Sequence, residues 1–191
     1  IGDGSGTAGA TGLTADQFKD QNSFTSWTDF ANTWEIKSIF GRPTLKDNAE
    51  IGGTANNPYK IFTATQLKNF ATAVNSGEKS AHAKLMNDIN LSSVCGAGKG
   101  SWNPIGIISQ QYSGTFDGNG KTISGLYIGI TANNQGLFGF VGRSGKVQNL
   151  SVSGSVSGNN YVGGVVGYNN GGTVTGCTFS VSGTVSGGWY V

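Results

Sequence analysis

Gly136-Leu137-Phe138-Gly139 and, 28 residues on, Gly164-Val165-Val166-Gly167 belong to a unit written twice between residues 136 and 191. Val147, Leu150 and Val152 return as Val174, Cys177 and Phe179, 27 residues on. Ser153-Gly154-Ser155-Val156-Ser157-Gly158 returns as Ser182-Gly183-Thr184-Val185-Ser186-Gly187, and Tyr161-Val162 as Tyr190-Val191, both 29 on. The drift of one or two residues falls at Gly, Ser and Asn, where loops take insertions. Units of this length stack, because none can bury an apolar face alone.

Within each copy the apolar residues sit two apart, as in Leu150-Ser151-Val152, with Ser, Thr and Asn between them. That period is a strand's. Gly and Asn-Gly clusters break each run after a few residues. A helical repeat would need runs of ten or more residues with few glycines. Each copy therefore reads as three short strands joined by tight corners, one turn of a right-handed parallel β-helix. The inward side chains of successive turns would form ladders.

One spacing serves to follow the ladder backwards: an apolar residue, two spacers, an apolar residue, one spacer, and a third. It occurs as Val174/Cys177/Phe179, Val147/Leu150/Val152, Ile123/Leu126/Ile128 and Met86/Ile89/Leu91. These are expected to be four rungs of one face. Burying each such side chain contributes roughly 1.5–3 kcal/mol, so many modest terms hold the stack. The expected fold is mainly all-β, a β-solenoid of about four coils with a short capping helix and an aromatic-rich N-terminal appendage.

The same residues resemble the GLUG repeat of bacterial surface proteins, which include adhesin-like proteins and some secreted peptidases. The likeness extends upstream through Trp102-Asn103-Pro104-Ile105-Gly106 and Gly114-Thr115-Phe116-Asp117-Gly118-Asn119-Gly120-Lys121-Thr122-Ile123. It also takes in Asn57-Pro58-Tyr59 and Asn87-Asp88-Ile89-Asn90-Leu91. Val165 stands where the repeat usually has Leu, a volume-tolerant change. The resemblance implies a β-helix and a cell-surface or secreted setting. It implies no catalytic residues, so none are carried over.

Composition bounds the rest. The chain of 191 residues suffices for one domain, or one domain plus an appendage. Gly contributes 33 residues and Pro only 3, without a collagen period, which places the glycines at corners. Charged residues make up 12%, about half the usual share. The net charge of +2 is too small to imply nucleic acid. All acidic residues lie at or before Asp117, and from Gly118 onward the charges are Lys121, Arg143 and Lys146. That stretch carries no footprint for nucleic acid or an anionic membrane. Cys95 and Cys177 permit one disulfide without requiring it. An unpaired Cys177, buried as a small apolar side chain, is the expected state. No signal peptide or transmembrane run is read, so membrane insertion is not expected. The opening Ile1-Gly2-Asp3-Gly4 is expected to be the trimmed start of a piece of a longer exported protein.

Residues 1–48 read as the appendage and 49–191 as the repeat domain. Residues 1–12 read as a linker. A short helix over 15–21 is signalled by Thr14 as cap, Gln17 as its answer and Leu13 stapling onto Phe18. Phe24, Trp27, Phe30, Trp34, Ile36, Phe40, Pro43 and Leu45 follow. They are expected to form a plug over one end of a solenoid rather than a sugar-binding platform, because large aromatics are usually buried. The family resemblance implies instead that this segment is the tail of a preceding module. A second helix over 64–76 repeats the grammar: Thr63 caps, Gln66 answers and Phe62 staples onto Leu67. Leu67, Phe70, Ala71 and Val74 share its apolar face, and Gly77 ends it. Such a helix would cap the first coil and shield its edge.

Tests for chemistry come out negative on residue types. Lyases need Ca²⁺-binding carboxylates and a base, and glycosidases need two carboxyls across a cleft. Only Asp88 and Asp117 fall within the predicted coils, and both read as turn or corner residues. His82 has no partner at ligand or triad spacing and reads as a solvated loop residue. Asp117-Gly118-Asn119-Gly120 lacks the remaining ligands of a calcium loop and reads as a type I′ or similar turn. No catalytic residue, metal site or cofactor is expected, and no binding residue is assigned. The expected role is a non-catalytic extracellular adhesin-like or surface-stalk module. Its partners would be a glycan or protein on a host or neighbouring cell, or adjoining modules or copies end to end. A purely structural repeat assembling head to tail is the alternative, and a carbohydrate-active β-helix enzyme stands behind both.

Overall fold

Alternation of Ser, Thr and Asn with Val, Leu and Ile favours long strands when every second side chain meets a core and the others meet water. A computed structural model describes residues 34–37, 42–45 and 52–191. The chain divides into two units, Ile1–Asn48 and Ala49–Val191. In the first, β1 (Trp34–Lys37) and β2 (Arg42–Leu45) pair antiparallel, with Trp34 opposite Leu45 and Lys37 opposite Arg42. The expected linker over 1–12, the helix over 15–21 and the rest of the aromatic segment lie outside the described residues.

The second unit is mostly β-strand. Its elements in order are β3 (Tyr59–Ile61), helix α1 (Ala64–Asn75), β4 (Ala83–Leu85), β5 (Ile89–Asn90), β6 (Thr115–Gly129), β7 (Phe138–Val141), β8 (Lys146–Ser157), β9 (Val166–Asn169) and β10 (Thr173–Ser186). The larger sheet runs β10-β8-β6-β4-β3, with β5 also on β6, and its pairs are parallel. A second parallel pair joins β7 to β9. Parallel bridges from Ile105 to Phe138 and from Tyr112 to Val141 extend it. A third line of parallel bridges links Gln135 to Val162 and Asn160 to Trp189.

The register corrects part of the expected ladder. Val174, Cys177 and Phe179 do stand opposite Val147, Leu150 and Val152. One layer away, however, Val147 faces Phe116, Leu150 faces Lys121, Val152 faces Ile123 and Val156 faces Ile128. Ile89 faces Ile123. Ile123, Leu126 and Ile128 are thus not the rung beside Val147, Leu150 and Val152, and Met86, Ile89 and Leu91 are not the rung beside them in turn. The cause is local. β6 carries extra residues between Asp117 and Lys121 and between Ile123 and Leu126, where the register shifts. Asn119, Gly120 and Gly125 take positive φ there, the signature of bulges that break the two-residue period. Met86 is only half-buried, and Leu91 is buried in a short 3-10 turn, Leu91–Ser93.

The core is aromatic at its centre. Phe70 of α1 contacts Tyr59, Tyr112 and Phe116 at ring-centroid distances of 6.3, 6.1 and 5.9 Å. Phe138 joins Tyr112 and Phe116 at 5.4 and 5.2 Å. Tyr112 is fully buried and donates from Oη to Ala81 O at 3.0 Å. Burial pushes its phenol well above the ordinary range. α1 begins as a capped helix should: Thr63 Oγ1 accepts from Gln66 N at 3.2 Å. Gln66 Oε1 accepts from Phe62 N at 2.8 Å, one residue before the cap. Phe62 itself is 43% exposed, so it adds little as a staple. Leu67, Phe70, Ala71 and Val74 are buried together with Ala64 and Ala73. Among the described residues no helix is long and apolar enough to cross a membrane.

Glycine recurs in the repeat for closeness rather than for flexibility. A Cβ on Gly139 would lie 2.7 Å from Gly106 O and 2.9 Å from Asn134 O; one on Gly167 would lie 2.7 Å from Asn134 C and Gln135 N. Neighbouring layers of backbone occupy the space a side chain would need. Gly139→Ala is therefore expected to destabilise by about 1–3 kcal/mol through overpacking, read as a lower denaturant midpoint. Ser144→Ala, at an exposed position, should change it by no more than about 0.5 kcal/mol.

Candidate functional site

Between β5 and β6 the chain crosses the second sheet in a segment anchored at several points. Trp102 is buried and donates from Nε1 to Leu137 O at 3.1 Å. Asn75, the last residue of α1, donates from Nδ2 to Pro104 O and accepts at Oδ1 from Gly106 N, both at 2.9 Å. With Pro104 and Gly106 so clamped, residues 107–110 project as a small turn. Ile107 and Gln110 exchange backbone hydrogen bonds at 3.1 and 3.0 Å. Ile108 at its tip is 72% exposed, a position an unassisted apolar side chain does not favour.

A cleft lies on either side of this turn, and Ile108 lines both. The first, of about 490 Å³, presents Ser101, Asn103, Asn133 and Asn134 with Ile107 and Ile130. Gln135 also lines it, almost wholly buried, donating from Nε2 to Asn133 O at 2.6 Å. Its Oε1 is buried without a hydrogen-bond donor. The second cleft, of about 390 Å³, presents Lys79, Gln111, Ser113, Arg143, Ser144 and Asn170. Asn170 Nδ2 donates to Gln111 Oε1 at 3.4 Å. Ser113 donates from N and Oγ to Lys79 O, at 2.8 and 3.2 Å, fixing the backbone that carries Lys79. Arg143 sits on a turn closed by Gly145 N donating to Gly142 O at 2.8 Å.

The lining residues of both clefts include no carboxylate, histidine or cysteine. What they offer is recognition: amides that donate and accept together, hydroxyls, two cations and aliphatic surface.

The residues singled out by sequence lie elsewhere. Val147, Leu150, Val152, Ile123, Leu126, Ile128, Ile89 and Leu91 are core. Val174 is exposed, and Cys177 and Phe179 are half-buried. Cys95 and Cys177 are both free thiols. Burial pushes each thiol up, partly offset for Cys95 by a backbone hydrogen bond and nearby lysines and for Cys177 by backbone hydrogen bonds, which keeps them protonated near neutrality. Asp88 Oδ1 accepts from Thr122 N at 2.8 Å, a corner bond as expected. Asp117 Oδ1 accepts from Asn119 N at 2.9 Å in an Asx turn, and from Asn149 Nδ2 at 3.2 Å. His82 lies in a loop, as expected, but is half-buried rather than fully solvated, and its Nδ1 accepts from Thr115 N at 3.3 Å. Among the described residues no group of three or more His, Cys, Asp or Glu side chains is placed to hold a metal.

Lys79, Arg143 and the asparagines of the clefts escaped the sequence reading, because they come from distant segments that only the tertiary structure brings together. The legible signal was Ile107-Ile108 directly after Gly106, an apolar pair outside any alternating run.

Comparison with known proteins adds three findings. The model of the GLUG motif matches residues 158–186. Over 103 residues the chain is 40% identical to a protein of Evansella cellulosilytica named as a Gly-rich membrane protein, covering 53% of this chain and 12% of that one. Over 140 residues it is 37% identical to halomucin of Haloquadratum walsbyi, covering 71% of this chain and 2% of that one. The chain thus spans a small part of the length of these curated relatives. No solved structure matches it.

Proposed function

The chain carries the GLUG motif, and from that premise we propose that it is a non-catalytic, adhesin-like β-solenoid module of a larger extracellular, surface-associated protein. The carrying observation is the stacking of the repeat. Gln135 pairs with Val162, Phe138 with Val166, Val147 with Val174 and Asn160 with Trp189, all parallel. At each of these places the chain returns beside itself after 27–29 residues. A right-handed parallel β-helix accounts for all of them with one winding. The names of the two relatives and the low charge of the coils support a surface setting. Stacked coils make a stiff body with a long polar face, suited to broad contacts.

Binding of the purified chain to a glycan and matrix-protein panel, with product analysis on the same samples, tests this. Saturable binding without product is the expected result. Released product would overturn the non-catalytic assignment, and no binding to any probe would overturn the adhesive one.

A further inference from the structure

We propose that the two clefts flanking the 107–110 turn act as one site for an acidic oligosaccharide, its carboxylate or sulfate held at Lys79 and Arg143 and its neutral sugars beside Asn103, Asn133 and Asn134. The inference deepens the adhesive reading above and depends on it.

Charge selects the anion. Lys79 and Arg143 share a cleft whose lining has no carboxylate. Glu78, the neighbour of Lys79, is engaged elsewhere, accepting from Tyr59 Oη at 3.0 Å. Beyond Gly118 only Lys121, Arg143 and Lys146 are charged, so no acidic residue of that stretch competes for the Arg143 guanidinium. A planar guanidinium fork matches a carboxylate or sulfate, and charge-assisted hydrogen bonds are the stronger kind.

The saccharide is selected by the other cleft. Amide side chains carry a donor and an acceptor a short distance apart, which suits adjacent hydroxyls. Ile107, Ile108 and Ile130 supply aliphatic surface for the C–H faces of a ring. Gln135 Oε1, buried without a donor, leaves an acceptor at this cleft that a hydroxyl or an accompanying water can satisfy. An anionic peptide would also meet the cations, and its backbone N–H groups can pair with the amides; the aliphatic surface beside the amides favours the saccharide, and the poly-glutamate arm below separates the two. Ile108, exposed and common to both clefts, marks where the chain of sugars would cross.

The test measures binding of the purified chain to polygalacturonate, dextran sulfate, dextran and poly-glutamate. The first two separate carboxylate from sulfate, the third removes charge and the fourth removes sugar. We expect a charged polysaccharide to bind more tightly than dextran and poly-glutamate, and to weaken severalfold between low and physiological salt. Arg143→Glu with Lys79→Glu should lower its affinity at least about tenfold, and Ile108→Asp should do likewise. All three positions are exposed, and an unchanged thermal midpoint verifies folding. Equal binding by wild type and the double variant overturns the site while leaving the adhesive reading intact. Poly-glutamate binding as tightly as the polysaccharides overturns the sugar assignment. Failure of every glycan and matrix probe overturns the adhesive reading, and the site falls with it.

Discussion

Leu150→Asp is expected to eliminate the cooperative unfolding transition. Leu150 lies on β8, the central strand of the longest three, and is 1% exposed. Cys177 of β10 stands opposite on one side and Lys121 of β6 on the other. Gly118 sits so close that a Cβ added there would lie 2.7 Å from Leu150 Cβ. Burying an unpaired charge costs several kcal/mol or more, comparable with the whole stability of a small domain. Leu150→Ala removes only apolar contact and should cost about 2–5 kcal/mol while leaving a cooperative transition. Thermal melts followed by circular dichroism distinguish the two. A native-like transition in Leu150→Asp would show that β8 does not present this residue to the core.

Phe70→Ala should have the next largest effect, about 3–5 kcal/mol. Phe70 is fully buried and touches the rings of Tyr59, Tyr112 and Phe116. Those rings come from β3, from the segment after the 107–110 turn and from β6. The phenyl group therefore ties the helix to three separate parts of the unit, and its loss leaves a cavity that backbone on several sides prevents from closing. Phe62→Ala, on the same stretch but 43% exposed, should shift stability by no more than about 0.5 kcal/mol. Denaturant midpoints of the pair provide the comparison. Equal effects would mean that α1 is not held through its apolar face.

The difference between Phe62 and Phe70 shows where sequence patterns stop. Both are apolar and both flank the helix start or face. The i, i+3, i+4 spacing of Leu67, Phe70, Ala71 and Val74 identifies the buried stripe, because one face of a helix repeats at that interval. A staple at Phe62 depends instead on where the preceding strand directs the ring, and β3 leaves it in solvent. The repeat behaves likewise. Between β8 and β10 the spacing of Val147, Leu150 and Val152 predicts the pairing directly, since no register shift separates those residues. Between β6 and β8 it fails, since Gly118-Asn119-Gly120 lies between the paired residues Asp117 and Lys121 and shifts the register. Sequence alone shows a turn there but not whether the strand reverses or continues through it.

Alternation, glycine corners and the capping of α1 are local properties, set by side-chain period and backbone sterics, and the sequence by itself determined them; it expected three short strands per copy, whereas β8 and β10 run for 12 and 14 residues. Which residues meet across layers was decided by the tertiary structure alone. Bulges change the count of residues per layer, so register is a global sum over every corner rather than a local preference. The two clefts follow from that sum. Lys79, Ile108, Arg143 and Asn170 come from four separate segments, and only the pairing of strands across layers brings them to one place.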